Sequence, residues 1–288
     1  MIFRLLAASV ACLGPRGRGV LAWLVAFLVY RVLRIRRAHV REAMERAGVG
    51  DAASFYRTLA GRAVELLALA GGAELGAAMS KLTPEAERTL RAALAEGPVI
   101  IAASHTGNWE CAAFALARHV RVSVVAKRQG VSSADRFIMD LRRRHGVSVI
   151  APEGAVRACL GALSRGGVVV LPIDQVPHEG ARSITVPFLG APARVDKAPF
   201  VIARRAGATV LVAAQEGANV HVLRVLSARG RSRREGGVER LAAEATSALE
   251  AHVRAFPESW LWLHRRWRGA PEEPRPVPKM CSESRQVA

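Results

Sequence analysis

Short apolar runs and longer amphipathic segments alternate through the middle of this chain. Residues Gly97–Ser104 (GPVIIAAS) are continuous in apolar and β-branched character, as are Val122–Ala126, Val147–Ala151, Gly167–Asp174 and Thr209–Gln215. A run of this kind, with no polar alternation, predicts a strand covered on both faces. Helical segments lie between the first four runs, at Trp109–Arg118, Ser133–His145 and Ala155–Arg165. Strand and helix alternating at this spacing predict an α/β domain with a mostly parallel central sheet flanked by helices. Residues Thr209–Leu226 add a hairpin whose turn is Glu216–Asn219.

The flanks follow other patterns. Arg41–Leu94 is rich in Ala, Leu, Glu and Arg and broken at Gly48–Asp51, Gly71-Gly72 and Thr83-Pro84, which predicts two or three amphipathic helices. Thr83 reads as an N-cap, with Pro84 at the first helical position. At the N-terminus, Leu5–Leu13 and Val20–Tyr30 are apolar and separated by Pro15, Gly17 and Gly19. Neither stretch reaches the ~20 apolar residues of an uninterrupted span, so they predict an interfacial helix pair or one irregular crossing. Arg31, Arg34, Arg36, Arg37 and Arg41 follow, with Arg34, Arg37 and Arg41 at the spacing of one helical face. A basic cluster beside an apolar anchor points to anionic headgroups on the cytoplasmic side. A cleaved signal peptide competes, since Met1–Cys12 carries one Arg and a short apolar run, but nothing downstream has an exported character. Trp260, Trp262 and Trp267, nearly alternating around His264, predict a core strand, with His264 and Arg266 capping the sheet. Ser227–Gly237 reads as a mobile basic loop, and Gly269–Ala288 as a proline-rich disordered tail.

Composition narrows the function classes. With 288 residues, 51% of them hydrophobic, the chain has ample material for a core, and a net charge of +18 predicts an anionic partner. Charge alone does not separate nucleic acid, anionic lipid and acidic protein. The four cysteines, Cys12, Cys111, Cys159 and Cys281, stand far apart, with no zinc-like spacing and no disulfide framework, which favours a reducing cytoplasmic setting.

Two polar clusters fall where strands end: His105–Glu110 (HTGNWE) after the first, and Asp174-Gln175 after the fourth. In sheets of this type ligands gather at the carboxyl ends of strands. His105 would emerge at the strand end, Gly107 would permit a sharp turn, and Asn108 would cap the helix beginning at Trp109. The loop then brings Glu110 back toward the imidazole, where a carboxylate on one ring nitrogen leaves the other free to take a proton from an alcohol. No GxSxG-type nucleophile motif is present, which favours direct transfer onto a bound hydroxyl over a covalent enzyme intermediate. The same spacing is met by a histidine closing a strand and a glutamate in a helix's first turn, so the motif alone leaves both readings open.

The stretch SHTGNWE resembles the H-x4-D/E signature of glycerolipid acyltransferases and, in this extended form, the bacterial lipid A biosynthesis acyltransferases. The resemblance continues in order through LRRRHG (Leu141–Gly146), GGVVVLPIDQ (Gly166–Gln175), Ile184–Leu211 and PESWLWLHRRWR (Pro257–Arg268). It implies a glycerolipid acyltransferase-like domain at 41–268, with a membrane anchor and basic flank at 1–40 and the tail at 269–288. It further implies that His105 is the general base, with Glu110 as its orienting carboxylate. Asn108, Arg128, Arg142, Asp174 and Gln175 are then candidate substrate-binding residues. Arginine suits phosphate because its planar fork makes paired hydrogen bonds; Asp174 is a candidate either for binding or for pairing with an arginine. The implied donor is acyl carrier protein or acyl-CoA, the acceptor an anionic glycolipid, and the location the cytoplasmic face of the inner membrane. No metal and no redox cofactor is implied.

Lys127-Arg128 stands where these enzymes commonly carry a tyrosine-arginine-proline run, and Arg194–Pro199 replaces a threonine-rich stretch. These departures touch acceptor recognition and keep open a phosphatidylinositol mannoside or a lyso-lipid as acceptor. A basic protein that binds membrane or nucleic acid without chemistry is the alternative from another class; 5% aromatic content and the apolar N-terminus argue against a nucleic-acid partner.

Overall fold

The computed structural model describes residues 2–75, 79–127, 132–229 and 237–270. Arg128, Cys281, most of the basic loop after Ser227 and the tail from position 271 lie outside the described residues.

The continuous apolar runs form the centre of one sheet. Strands β2 (Val99–Ala103), β3 (Val122–Val125), β4 (Val147–Ile150), β5 (Val168–Pro172) and β8 (Thr209–Glu216) are mutually parallel and lie in the order β8-β2-β5-β3-β4. The antiparallel partner β9 (Asn219–Ser227) pairs with β8 through the predicted turn, and the short β1 (Lys81–Leu82) extends that edge. The reason for the unbroken apolar runs is visible in β2 and its neighbours. Ile100, Ala102, Val169 and Leu171 enter one core, while Val99, Ile101, Val168 and Leu211 enter the core on the opposite face. With both faces covered, each position along the strand leaves water, and the two-residue polar alternation disappears.

Helices α3 (Arg37–Ala47), α8 (Ala155–Ser164), α9 (Ala198–Ala206) and α10 (Val238–Ala255) contribute to the first core. On the other face lie α5 (Pro84–Glu96), α6 (Trp109–Ala117) and α7 (Ser132–Arg144). The long α4 (Ala52–Ala70) contributes to both. The Thr83 cap is as expected, its hydroxyl accepting from Ala86 N at 3.1 Å ahead of Pro84.

Two expectations are corrected, and one element is added. The tryptophan segment is not a strand: a short 3-10 turn, Pro257–Ser259, leads into turns, with only a bridge between Trp260 and Thr106. Arg34 does not share a helical face with Arg37 and Arg41, because α3 starts at Arg37 and Arg34 has φ of 50°. An antiparallel ribbon of β6 (Ser183–Phe188) and β7 (Ala191–Asp196), unforeseen, follows the Asp174 loop.

The N-terminal stretches form two helices, α1 (Ile2–Ala11) and α2 (Pro15–Phe27), the second continuing into a π-helical turn, Leu28–Val32. Ala7 and Val10 of α1 are buried, and a Cβ at Gly71 would come within 2.1 Å of the Ala7 carbonyl oxygen, so α1 crosses the end of α4 where no side chain intervenes. The outer face is unusually apolar. Ile2, Leu5, Val20, Trp23, Leu24, Phe27, Leu28, Val32 and Leu33 are exposed; beyond residue 35 the exposed large hydrophobics among the described residues are Met139, Val225 and Phe256. No helix among the described residues is long and apolar enough to cross a membrane.

Candidate active site

Topology places the two strand-end clusters side by side. β2 and β5 are adjacent, with Ala103 level with Pro172. The chain leaving β2 passes through α6 to β3 beyond β5, while the chain leaving β5 returns to β8 beyond β2. Connections departing toward opposite edges leave a crevice between the carboxyl ends of those strands, the usual location of a ligand site in an open α/β sheet.

His105 and Asp174 meet in this crevice. The Nδ1 of His105 lies 2.9 Å from Asp174 Oδ1, and the backbone N–H of His105 donates to Oδ2 at 2.7 Å. The indole N–H of Trp260 also donates to Oδ2, at 2.9 Å. Asp174 is 2% exposed and the His105 side chain 17%, so the acid is sealed and the imidazole reaches the surface. Burial pushes the His105 pKa down, but the Asp174 charge and hydrogen bond, with a further contribution from Glu110, outweigh it and raise the pKa above the ordinary value. Burial pushes Asp174 up, yet the His105 charge and the donors on its oxygens bring it to about 2. The acid is therefore ionised at neutral pH, and in the neutral ring Nδ1 carries the proton and Nε2 the lone pair. Gln175 Nε2 sits 3.1 Å from that Nε2, and the Trp109 ring packs edge-on against the imidazole at 5.1 Å.

The expected His105–Glu110 contact is replaced by another. Glu110 accepts from Arg142 Nε at 2.8 Å and Nη2 at 2.5 Å, a paired interaction with side-chain exposures of 9% and 12%. Its place in the first turn of α6 aims it at α7 instead of back at the loop, and the carboxylate hydrogen-bonded to His105 is Asp174. Arg142, a candidate phosphate ligand, thus commits two donors to Glu110. Asn108 occupies the N-cap position of α6 without making the side-chain cap; its amide donates to the Arg62 carbonyl at 3.3 Å. Gly107 has φ of 60°, and a Cβ there would lie 2.6 Å from the Gln215 side chain, so the loop needs glycine on both counts. With His105 and Asp174 bonded to each other and Glu110 to Arg142, no group of three or more His, Cys, Asp or Glu side chains gathers as a metal site among the described residues.

Residues that sequence reasoning missed complete the site. Trp260 holds Asp174, and Val176 N donates to His264 Nε2 at 2.9 Å. Behind the His105 loop, Ser104, Thr106 and Trp109 border an apolar cavity of about 80 Å³ that continues between Ala86, Leu90, Ile101, Ala112, Ala113, Leu116, Leu211 and Ala213.

The model for the bacterial lipid A biosynthesis acyltransferases matches residues 76–269, and the chain belongs to that family. The match covers every strand of the central sheet and the tryptophan segment beside the site, and begins after helices α1–α4. Comparison with curated proteins finds no match.

Proposed function

We propose that the protein is a membrane-associated O-acyltransferase that moves a fatty acyl group from an acyl carrier protein or coenzyme A thioester to a hydroxyl of a lipid A precursor or similar anionic glycolipid. The observation that carries this reading is the His105–Asp174 pair at the crevice between β2 and β5. Nε2 of His105 takes the hydroxyl proton as the oxygen attacks the thioester carbonyl. The tetrahedral intermediate then collapses: the C–S bond breaks, the ester C–O bond stays, and the sulfur leaves with the proton returned by His105. Asp174 keeps the proton on Nδ1 and stabilises the imidazolium during the step. The Glu110–Arg142 pair braces α6 against α7 beside the base and presents the arginine toward the anionic acceptor. The reading is tested by supplying thioester and a panel of acceptors, a lipid A precursor, a phosphatidylinositol mannoside and a lyso-lipid, and following acylated lipid by mass spectrometry alongside thiol release. Acylation of the lipid A precursor is expected; thiol release without any acylated lipid contradicts transfer.

The apolar cavity behind the His105 loop, at about 80 Å³, is in this scheme the site for the few methylenes of the acyl chain next to the thioester. Its walls carry alanines at 86, 112, 113 and 213, small residues that leave room for methylenes. Ala113→Phe is expected to fill it and raise KM for a long-chain donor about tenfold, with a smaller effect on a short-chain donor. Equal effects on both donors contradict the assignment.

For localisation we propose the cytoplasmic face of the inner membrane, with α1 and α2 lying in the interface. Exposed Trp23, Leu24 and Phe27 would enter the acyl boundary, and exposed Arg31, Arg34 and Arg41 would meet anionic headgroups. Burying one large apolar side chain is worth about 1.5–3 kcal/mol, so Leu24→Asp with Phe27→Asp is expected to weaken binding to anionic vesicles by about tenfold or more. A sedimentation assay that shows no change removes this face from the membrane contact.

A further inference from the structure

The segment after α10 runs across the carboxyl ends of β2 and β5 and is tied to both loops of the site. Gly107 N donates to the Ser259 carbonyl at 3.0 Å, Thr106 bridges Trp260, and Val176 N donates to His264. Arg62 on α4 fastens the same segment through Ser259 O at 2.7 Å. Trp260 is 1% exposed and packs edge-on against Phe188 and Trp262, at 5.3 and 4.8 Å. Its single polar atom is directed at Asp174 Oδ2.

We propose that Trp260 is a positioning residue for acyl transfer, whose indole N–H fixes the Asp174 carboxylate so that Oδ1 stays aligned on Nδ1 of His105. The inference rests on the reading of His105 as the base. Oδ2 is held by two N–H groups, one from the His105 backbone and one from the indole. The backbone donor moves with the His105 loop, so it cannot by itself set the acid relative to that loop. The indole belongs to a different part of the chain and is locked by aromatic packing on its faces and edges, which makes it the fixed reference. It also absorbs part of the carboxylate's charge. With the donor removed, more of that charge acts on the imidazole, the imidazolium gains, and the base is protonated at a higher pH. The other ionisable groups that act on the pair are Glu110 on α6, Arg142 on α7, and His264 and Arg266 on the C-terminal segment, and the substitution alters none of them.

The test combines Trp260→Phe with incorporation of benzothienylalanine at position 260, which keeps the bicyclic shape and replaces N–H by sulfur. The proposal expects kcat to fall about tenfold in both variants, as a lost hydrogen bond to a charged group allows. It also expects KM values near wild type, and an acid limb of the rate profile and an NMR-titrated His105 pKa that rise by about half a unit to one unit. Wild-type kcat and an unmoved His105 titration in the benzothienyl variant overturn it, as does a loss of melting temperature with the pH profile unchanged, which marks packing alone. His105→Ala, run in parallel, keeps the two readings apart. If it retains wild-type transfer, the base assignment fails, while the equilibrium titration still decides whether the indole sets the ring's pKa.

Discussion

His105→Ala is expected to lower the rate of acyl transfer by about 10²–10⁴-fold, the range over which a positioned general base contributes. Far-UV circular dichroism and vesicle binding are expected to stay at wild-type values, because the ring lies at the rim of the sheet and not in either core. Some stability should be lost with the side chain, since Asp174 keeps its backbone and indole donors but gives up the ring N–H. His105→Asn separates this structural contribution from the chemical one. Its amide can donate to Asp174 in place of Nδ1 and has no basic nitrogen, so it is expected to restore melting temperature without restoring turnover. Recovery of turnover in His105→Asn, or wild-type transfer in His105→Ala, contradicts the assignment of the base.

Asp174→Asn is expected to cost about 10³-fold or more in kcat, and the hydrogen-bond pattern states why. The Oδ2 position receives two N–H donors, from the His105 backbone and from Trp260. The asparagine oxygen must occupy that position, which turns the amide NH2 toward Nδ1. The imidazole then has to present a lone pair at Nδ1 and carry its proton on Nε2, the tautomer that accepts nothing from a hydroxyl. Glu110→Gln acts differently. It leaves the nearly buried Arg142 guanidinium without its carboxylate, so it is expected to lower stability and raise acceptor KM, with a kcat effect of about tenfold or less. Steady-state kinetics on the two variants check the order; a larger kcat loss in Glu110→Gln reverses the roles of the two acids.

The candidate base, His105, was legible from its position and its hydrogen-bond partner was not. A buried strand announces itself by continuous apolar residues, so the end of β2, and with it His105, is marked in the sequence. The partner is another matter: Glu110 is five residues away along the chain, and Asp174 becomes a neighbour only because β5 inserts beside β2. Nothing in the local pattern around either strand encodes that adjacency. The first turn of α6 could equally face the loop or α7, and Arg142 decides it. The near-alternation of Trp260 and Trp262 imitates a strand, yet both are buried because they close the site from above its strand ends, held by hydrogen bonds to Asp174 and Pro257. The β6–β7 ribbon is hidden for a chemical reason. Pro187 and Pro192 stand opposite each other, and its turn uses Leu189 at φ of 52°, so neither strand chemistry nor a glycine-first turn signals it. At the N-terminus the break between apolar stretches was readable from Pro15, while the crossing of α1 over Gly71 depends on contacts far apart in sequence.

The pH dependence of kcat/KM, measured for the wild type and Asp174→Asn, tests the account of the base most directly. A raised His105 pKa means that the ring is protonated, and inactive as a base, below a pH higher than the ordinary histidine value. The account predicts an acid limb above pH ~6.5 in the wild type, moving to lower pH in the residual activity of Asp174→Asn, where the negative charge is gone. A wild-type limb at or below that value, or one that Asp174→Asn leaves in place, contradicts it.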